Sequence, residues 1–169
     1  QFKRNIPYAS LTQAFQELIR QLLTEPDDRI ARWQARLLEA LGANGQIIID
    51  VIPDVERIIG PQPAVAELGA SEAQNRFNRV FQQFVGVFSR PEHPLVMFLD
   101  DLQWADLPSL QLIQRLVTHP DSQYLLLIGA YRDNEVSLTH PLMHTLDQIQ
   151  ATTVAVHNLV LQPLGLPQV

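Results

Sequence analysis

Two adjacent carboxylates, Asp100 and Asp101, follow five consecutive apolar residues, Leu95-Val96-Met97-Phe98-Leu99. An apolar run without polar alternation predicts a strand buried on both faces of a parallel sheet. The carboxylates then fall at its C-terminal end, the edge where open α/β sheets bind ligands. One carboxylate there can hold Mg²⁺, directly or through water, and the metal can bridge phosphates. The other reading of the same pattern is a buried strand followed by an Asp-rich turn. A second apolar run, Tyr124 to Ala130, delivers Tyr131-Arg132-Asp133 to the same edge. His140 and His144 are spaced i, i+4, which can place two imidazoles on one helix face. No third ligand is spaced to complete a shell, and Pro141 puts His140 at a cap, so both are read as surface or capping residues. No G-x-S-x-G elbow or other nucleophile signature is present.

The elements that must position these residues alternate in type. Leu11, Phe15, Leu18, Ile19, Leu22 and Leu23 make one face of a helix from Ser10, ended by Pro26. Asp27 or Asp28 caps a second helix to about Leu41, with Ile30, Trp33, Leu37, Leu38 and Leu41 inward and Gly42 as its stop. The β-branched run Gln46 to Ile52 fits either a strand or a short helix, and the helix is favoured. Ser71 with Gln74 reads as a capping box for a helix to about Phe88, whose stripe is Phe77, Val80, Phe81, Phe84, Val85 and Phe88. Arg76 and Arg79 fall off that stripe and are read as solvated surface. Between the two strands Asp106 caps a helix with Pro108 in its first turn and Leu110, Ile113, Leu116 and Val117 inward. A helix over Pro141 to Gln150 and a third strand over Thr153 to Leu161 complete a βαβαβ alternation, which predicts a right-handed parallel sheet.

Composition narrows the function. The chain has 169 residues, 46% apolar and 18% charged, which suits a globular domain with a real core. Net charge is −6 with no basic block, which argues against nucleic-acid binding. No apolar run approaches the ~20 residues of a membrane span. The absence of cysteine suits a reducing, cytoplasmic compartment. The ends, Gln1 and Leu164 to Val169, read as those of a piece of a longer protein.

The segments Leu95-Val96-Met97-Phe98-Leu99-Asp100-Asp101-Leu102-Gln103-Trp104-Ala105-Asp106 and Leu126-Leu127-Ile128-Gly129-Ala130-Tyr131-Arg132-Asp133-Asn134-Glu135-Val136 resemble the AAA/STAND-type P-loop ATPase domain of multi-sensor signal-transduction kinases. In these proteins a serine/threonine-kinase-like domain precedes the ATPase, and GAF, PAS and histidine-kinase modules of the two-component type follow. Asn5-Ile6-Pro7-Tyr8, Gly60-Pro61-Gln62-Pro63 and Asn75-Arg76-Phe77 extend the resemblance over nearly the whole chain. It implies a three-layer αβα fold on a parallel sheet, with a mainly helical part over residues 1–90 and the catalytic strands over 91–169. It also implies ATP and Mg²⁺ as ligands, with neighbouring kinase and sensor domains of the same polypeptide as partners. Asp100 matches the Walker B carboxylate associated with Mg²⁺. Asp101 matches the acid that polarises the attacking water, where many relatives carry the longer Glu, which implies slow hydrolysis. Arg132 matches sensor 1, a guanidinium near the γ-phosphate. Trp104 is expected to pack under the nucleotide edge, and Asp106 to cap its helix.

The phosphate-wrapping loop GxxxxGK[ST] is not in this sequence: Lys3 is its one lysine, and no glycine-rich loop surrounds it. The resemblance places that loop, with its strand and first helix, upstream of Gln1. The fragment alone is therefore expected to bind ATP poorly and to expose sheet edges open to self-association. The alternative function is a degenerate ATPase fold that serves as a protein-interaction scaffold without nucleotide.

Overall fold

The computed structural model describes residues 8–162. The connection expected over Gln1 to Pro7 and the tail from Leu164 lie outside the described residues. Five helices come first: α1 (Ala9–Leu22), α2 (Asp27–Leu41), α3 (Gly45–Ile49), α4 (Glu56–Ile59) and α5 (Ala70–Phe88). Then follow β1 (Leu95–Leu99), α6 (Leu107–Thr118), β2 (Leu125–Gly129) and α7 (Pro141–Gln150). The helix favoured over the β-branched run is α3. Gly42 ends α2 at φ 51°, a left-handed backbone in which glycine carries no Cβ penalty.

The core lies where the apolar stripes predict it. Leu11, Phe15 and Ile19 of α1, Leu37 and Leu41 of α2, and Val80, Phe81, Phe84 and Phe88 of α5 are all buried. Phe84 sits between Phe15 and Phe88, with ring centroids 5.2 Å from each and both pairs edge-to-face. That geometry suits the aromatic quadrupole. The chain enters α1 through Tyr8, held at φ 66°. Its ring stacks on Phe77 at 4.5 Å, its hydroxyl accepts from Gln74 Nε2, and its backbone N–H donates to Ser109 Oγ at 3.0 Å. The turn into β1 is fixed by His93. Its Nδ1 lies 2.9 Å from the Phe88 carbonyl, which can only accept, so Nδ1 carries the proton and Nε2 accepts from Arg36 Nη1 at 3.0 Å.

β1 and β2 pair in parallel, Leu95 opposite Leu125 through Leu99 opposite Gly129, with α6 as the crossover. The parallel α/β class with a helical first half is as expected. Several details differ. Leu38, expected to face inward, is 38% exposed, and Pro26 stands at the cap of α2 with Asp27 and Asp28 inside its first turn. The sheet is covered on one face only among the described residues: Met97 and Leu99 are buried, but Val96, Phe98, Leu126 and Ile128 are 58%, 60%, 55% and 43% exposed. A continuous apolar run predicts cover on both faces, but it carries no information about which segment would supply that cover. The third strand does not form: residues 154–162 have no regular structure, and Leu159, Val160 and Leu161 are exposed. An apolar β-type run needs a paired neighbour as well as propensity. The capping box at Ser71 does not form either. The helix begins at Ala70 with Gly69 at the cap, so Ser71 is already inside it, and Gln74 bonds Tyr8 and Asn78 instead. Finally, Arg76 is half-buried, with its Nε shielded from water, whereas Arg79 is exposed as expected.

Candidate functional site

The C-terminal ends of β1 and β2 continue into loops that stay bonded after the strands stop. The Ala130 N–H donates to the Leu99 carbonyl at 2.8 Å, and the Leu102 N–H donates to the Ala130 carbonyl at 2.9 Å. Gly129 lies close against Leu102: a Cβ there would sit 2.5 Å from Leu102 Cδ1, so a larger residue would require that side chain to shift. Between these bonds Asp101 sits in the left-handed region, φ 54° and ψ 40°, which Asp tolerates better than most residues. The chain then makes a 3₁₀ turn over Leu102–Trp104 and enters α6.

Parallel pairing therefore brings two of the three sequence-chosen residues together. Arg132 Nε lies 3.8 Å from Asp101 Oδ1. The same guanidinium contacts Glu135 Oε1 through Nη1 at 3.1 Å. Asp100 is exposed beside them, with Oδ1 accepting the Asp101 N–H at 2.9 Å. These charges are solvated, so their mutual attraction is weak and they remain available to a ligand.

Asp106 acts as the cap of α6. Its Oδ1 accepts the Ser109 N–H and its Oδ2 accepts the Ser109 hydroxyl, both at 2.8 Å. His140 likewise caps α7, its Nδ1 accepting the Leu142 N–H at 3.1 Å. Trp104 does not pack beneath the edge: it is 62% exposed, because the 3₁₀ turn directs Leu102 and Gln103 inward in its place.

Three residues with roles at this edge were not singled out from the sequence. Gln103 is buried and bonds both Asp101 and the Arg132 backbone. Glutamine carries no characteristic spacing, so no sequence signal marked it. Glu135 is the Arg132 partner, three residues on. Ser109 joins Asp106 to the Tyr8 backbone. The Asp106/Ser109 spacing of three is a capping signal that could have found Ser109.

The model for the AAA ATPase domain family matches residues 1–128. This chain belongs to the AAA ATPase domain family. The AAA domain is also 38% identical, over 117 residues, to hybrid signal transduction histidine kinase G of Dictyostelium discoideum. The match covers 69% of this chain and 3% of that relative, which is a far larger protein. No solved structure matches the chain. AAA ATPases as a family use a nucleotide with Mg²⁺.

The edge of this AAA domain has donors that suit that cation. Mg²⁺ prefers hard oxygen ligands and usually takes one or two carboxylates, with water and substrate phosphates completing the octahedron. Asp100 supplies such oxygens, and it is exposed. Among the described residues no three His, Asp or Glu side chains converge into a cage of their own. None of the helices among the described residues is long and apolar enough to cross a membrane.

Proposed function

We propose that this chain is the sheet-edge part of an ATP-binding, slowly hydrolysing switch domain, of the STAND type, within a large cytoplasmic signalling kinase. The observation that carries this reading is the meeting of Asp101 and Arg132, 31 positions apart in sequence, at the end of two parallel strands. Asp100 takes the Walker B role and would hold Mg²⁺. Bound Mg²⁺ supplies positive charge against the β- and γ-phosphates. Asp101 accepts a proton from the attacking water as the water oxygen bonds the γ-phosphorus. The bond to the bridging oxygen breaks, and its electron pair leaves with ADP. Asp101 has a shorter reach than Glu, which favours slow turnover and a switch over a fast motor. Arg132, as sensor 1, reads the γ-phosphate. Its loss shifts the population of conformations that adjoining kinase and sensor domains feel.

The test is calorimetric titration of Mg²⁺-ATP into this chain, into the chain extended upstream through a P-loop, and into the extended Asp100→Asn form. Tight binding by the extended chain alone, weakened by Asp100→Asn, is the expected result. Micromolar binding by the 169 residues alone would sink the claim that they need the P-loop. Absence of binding at both lengths would sink the ATP reading.

A second reading has its own observation. The open sheet face of Val96, Phe98, Leu126 and Ile128 favours a protein-interaction scaffold, self-association included. Association of the isolated chain in light scattering supports this contact. Nucleotide-independent binding by the extended chain would make it the main function.

A further inference from the structure

We infer that Gln103 is a positioning residue that sets the catalytic carboxylate Asp101 and the sensing Arg132 in one fixed relation, an inference that rests on the ATPase reading above. Gln103 is only 5% exposed, although it lies in the loop after β1, beside exposed Trp104 and two residues from exposed Asp101. A buried side-chain amide is costly unless both of its ends are bonded. Here both ends are bonded, and the partners are the two sides of the site. Nε2 donates to Asp101 Oδ1 at 2.9 Å, and Oε1 accepts the Arg132 backbone N–H at 3.3 Å. The amide orientation follows from chemistry. An ionised carboxylate only accepts and a backbone N–H only donates, so the reversed amide would leave both contacts repulsive.

The geometry gives Gln103 a function beyond filling space. Asp101 Oδ1 is the same oxygen that faces Arg132 Nε at 3.8 Å. The carboxylate is thus held on one side by a buried neutral donor and approached from solvent by an exposed cation. Asp101 occupies a left-handed backbone position and its side chain is half exposed, so the Gln103 bond is what ties its Oδ1 to the protein beside Arg132. Its other end fixes where the Arg132 chain leaves β2. Loss of Gln103 leaves Asp100 untouched, so nucleotide and metal binding persist while the acid and the cation lose their mutual register. Misplacement of a catalytic group affects the transition state more than the bound ground state, so kcat falls and KM does not.

The experiment measures Mg²⁺-ATP binding and single-turnover hydrolysis in the full-length protein, for wild type, Gln103→Met, Asp101→Asn and the double variant. Gln103→Met is expected to lower kcat by about tenfold or more while Kd and KM stay within about threefold. In the Asp101→Asn background the same change is expected to have less than about a twofold effect, because the group it positions is gone. A general packing role would lower activity equally in both backgrounds. Gln103→Glu keeps size and the acceptor for the Arg132 N–H but sets a carboxylate against Asp101. It is expected to reproduce the kcat loss, and it carries the comparison if Gln103→Met does not fold. A wild-type kcat in a folded Gln103 variant, or additivity with Asp101→Asn, overturns the inference alone. Nucleotide binding without any wild-type turnover also overturns it, and leaves the proposed binding function standing. Absence of Mg²⁺-ATP binding in the wild type overturns both.

Discussion

Asp106 is part of the same acidic segment as Asp100 and Asp101, yet its bonds make it a structural residue, and that assignment can be tested quantitatively. Replacement by alanine removes the acceptor for the Ser109 N–H, one of the unpaired donors at the start of α6. Loss of such a cap costs about 0.5–2 kcal/mol. It also removes the acceptor of the Ser109 hydroxyl, which is buried and already accepts the Tyr8 N–H. A buried hydroxyl proton left without an acceptor costs roughly 1–3 kcal/mol. The two losses share one carboxylate and one small region that can relax, so they do not add fully. The expected cost is about 2–3 kcal/mol, or a urea midpoint roughly 1 M lower with unchanged slope. Asp106→Asn keeps one acceptor and a good capping side chain, and is expected to cost about 1 kcal/mol. Ser109→Ala combined with Asp106→Ala should cost less than the two singles together. A midpoint unchanged in Asp106→Ala would refute the capping argument. Complete loss of ATP turnover in a stable Asp106→Asn would move this residue into the chemistry.

Three other expectations follow from the packing and charge already described. Phe84→Ala removes a fully buried ring from between Phe15 and Phe88. It should cost about 3–5 kcal/mol, and a loss under about 1 kcal/mol in chemical denaturation would contradict the placement of the core. Glu135→Gln frees Arg132 from its nearer carboxylate and should tighten Mg²⁺-ATP binding by the extended chain about two- to threefold, a small effect because the pair is solvated. Calorimetry checks it, and weaker binding would count against Arg132 as the phosphate reader. Phe98→Lys with Leu126→Lys places charge on the open sheet face. The change should abolish self-association in light scattering while shifting stability by no more than about 0.5 kcal/mol for each exposed site. Persistent association would locate the contact elsewhere.

What the sequence revealed, and what it did not, follows from how far each signal reaches. Helical stripes are local and repeated, so α1, α2, α5 and α6 and their buried residues were legible from Leu11, Phe15, Leu37, Phe81 and Leu110 onward. The meeting of the Asp101 and Arg132 loops at the ends of β1 and β2 was legible because a parallel pair with a helical crossover must deliver both loops to one edge. Pairing is not local, and there the reading failed. Leu159 to Leu161 has strand composition, but among the described residues no neighbour accepts its backbone bonds. Val96 and Phe98 have core composition, but nothing among the described residues covers them. Gln103 was hidden for a different reason. An amide's importance lies in what it bonds, and its partners Asp101 and Arg132 became visible only when the two loops were set side by side.

The division of labour at this edge explains how it can be both ordered and responsive. The ordering lies in neutral, mostly backbone groups: the Leu102–Ala130 and Ala130–Leu99 bonds, the Gly129 contact, and the buried amide of Gln103. The responsive groups, Asp100, Asp101 and Arg132, face solvent. At 3.8 Å a charge pair in water is worth only about 1 kcal/mol, and far more once water is excluded. Under the proposed function, a phosphate arriving with its metal would displace Arg132 from Asp101 and Glu135 at little cost. A ligand shifts a conformational equilibrium only by the difference in its affinity for the two states. The neutral framework would hold Asp101 and Arg132 in register while the charges exchange partners.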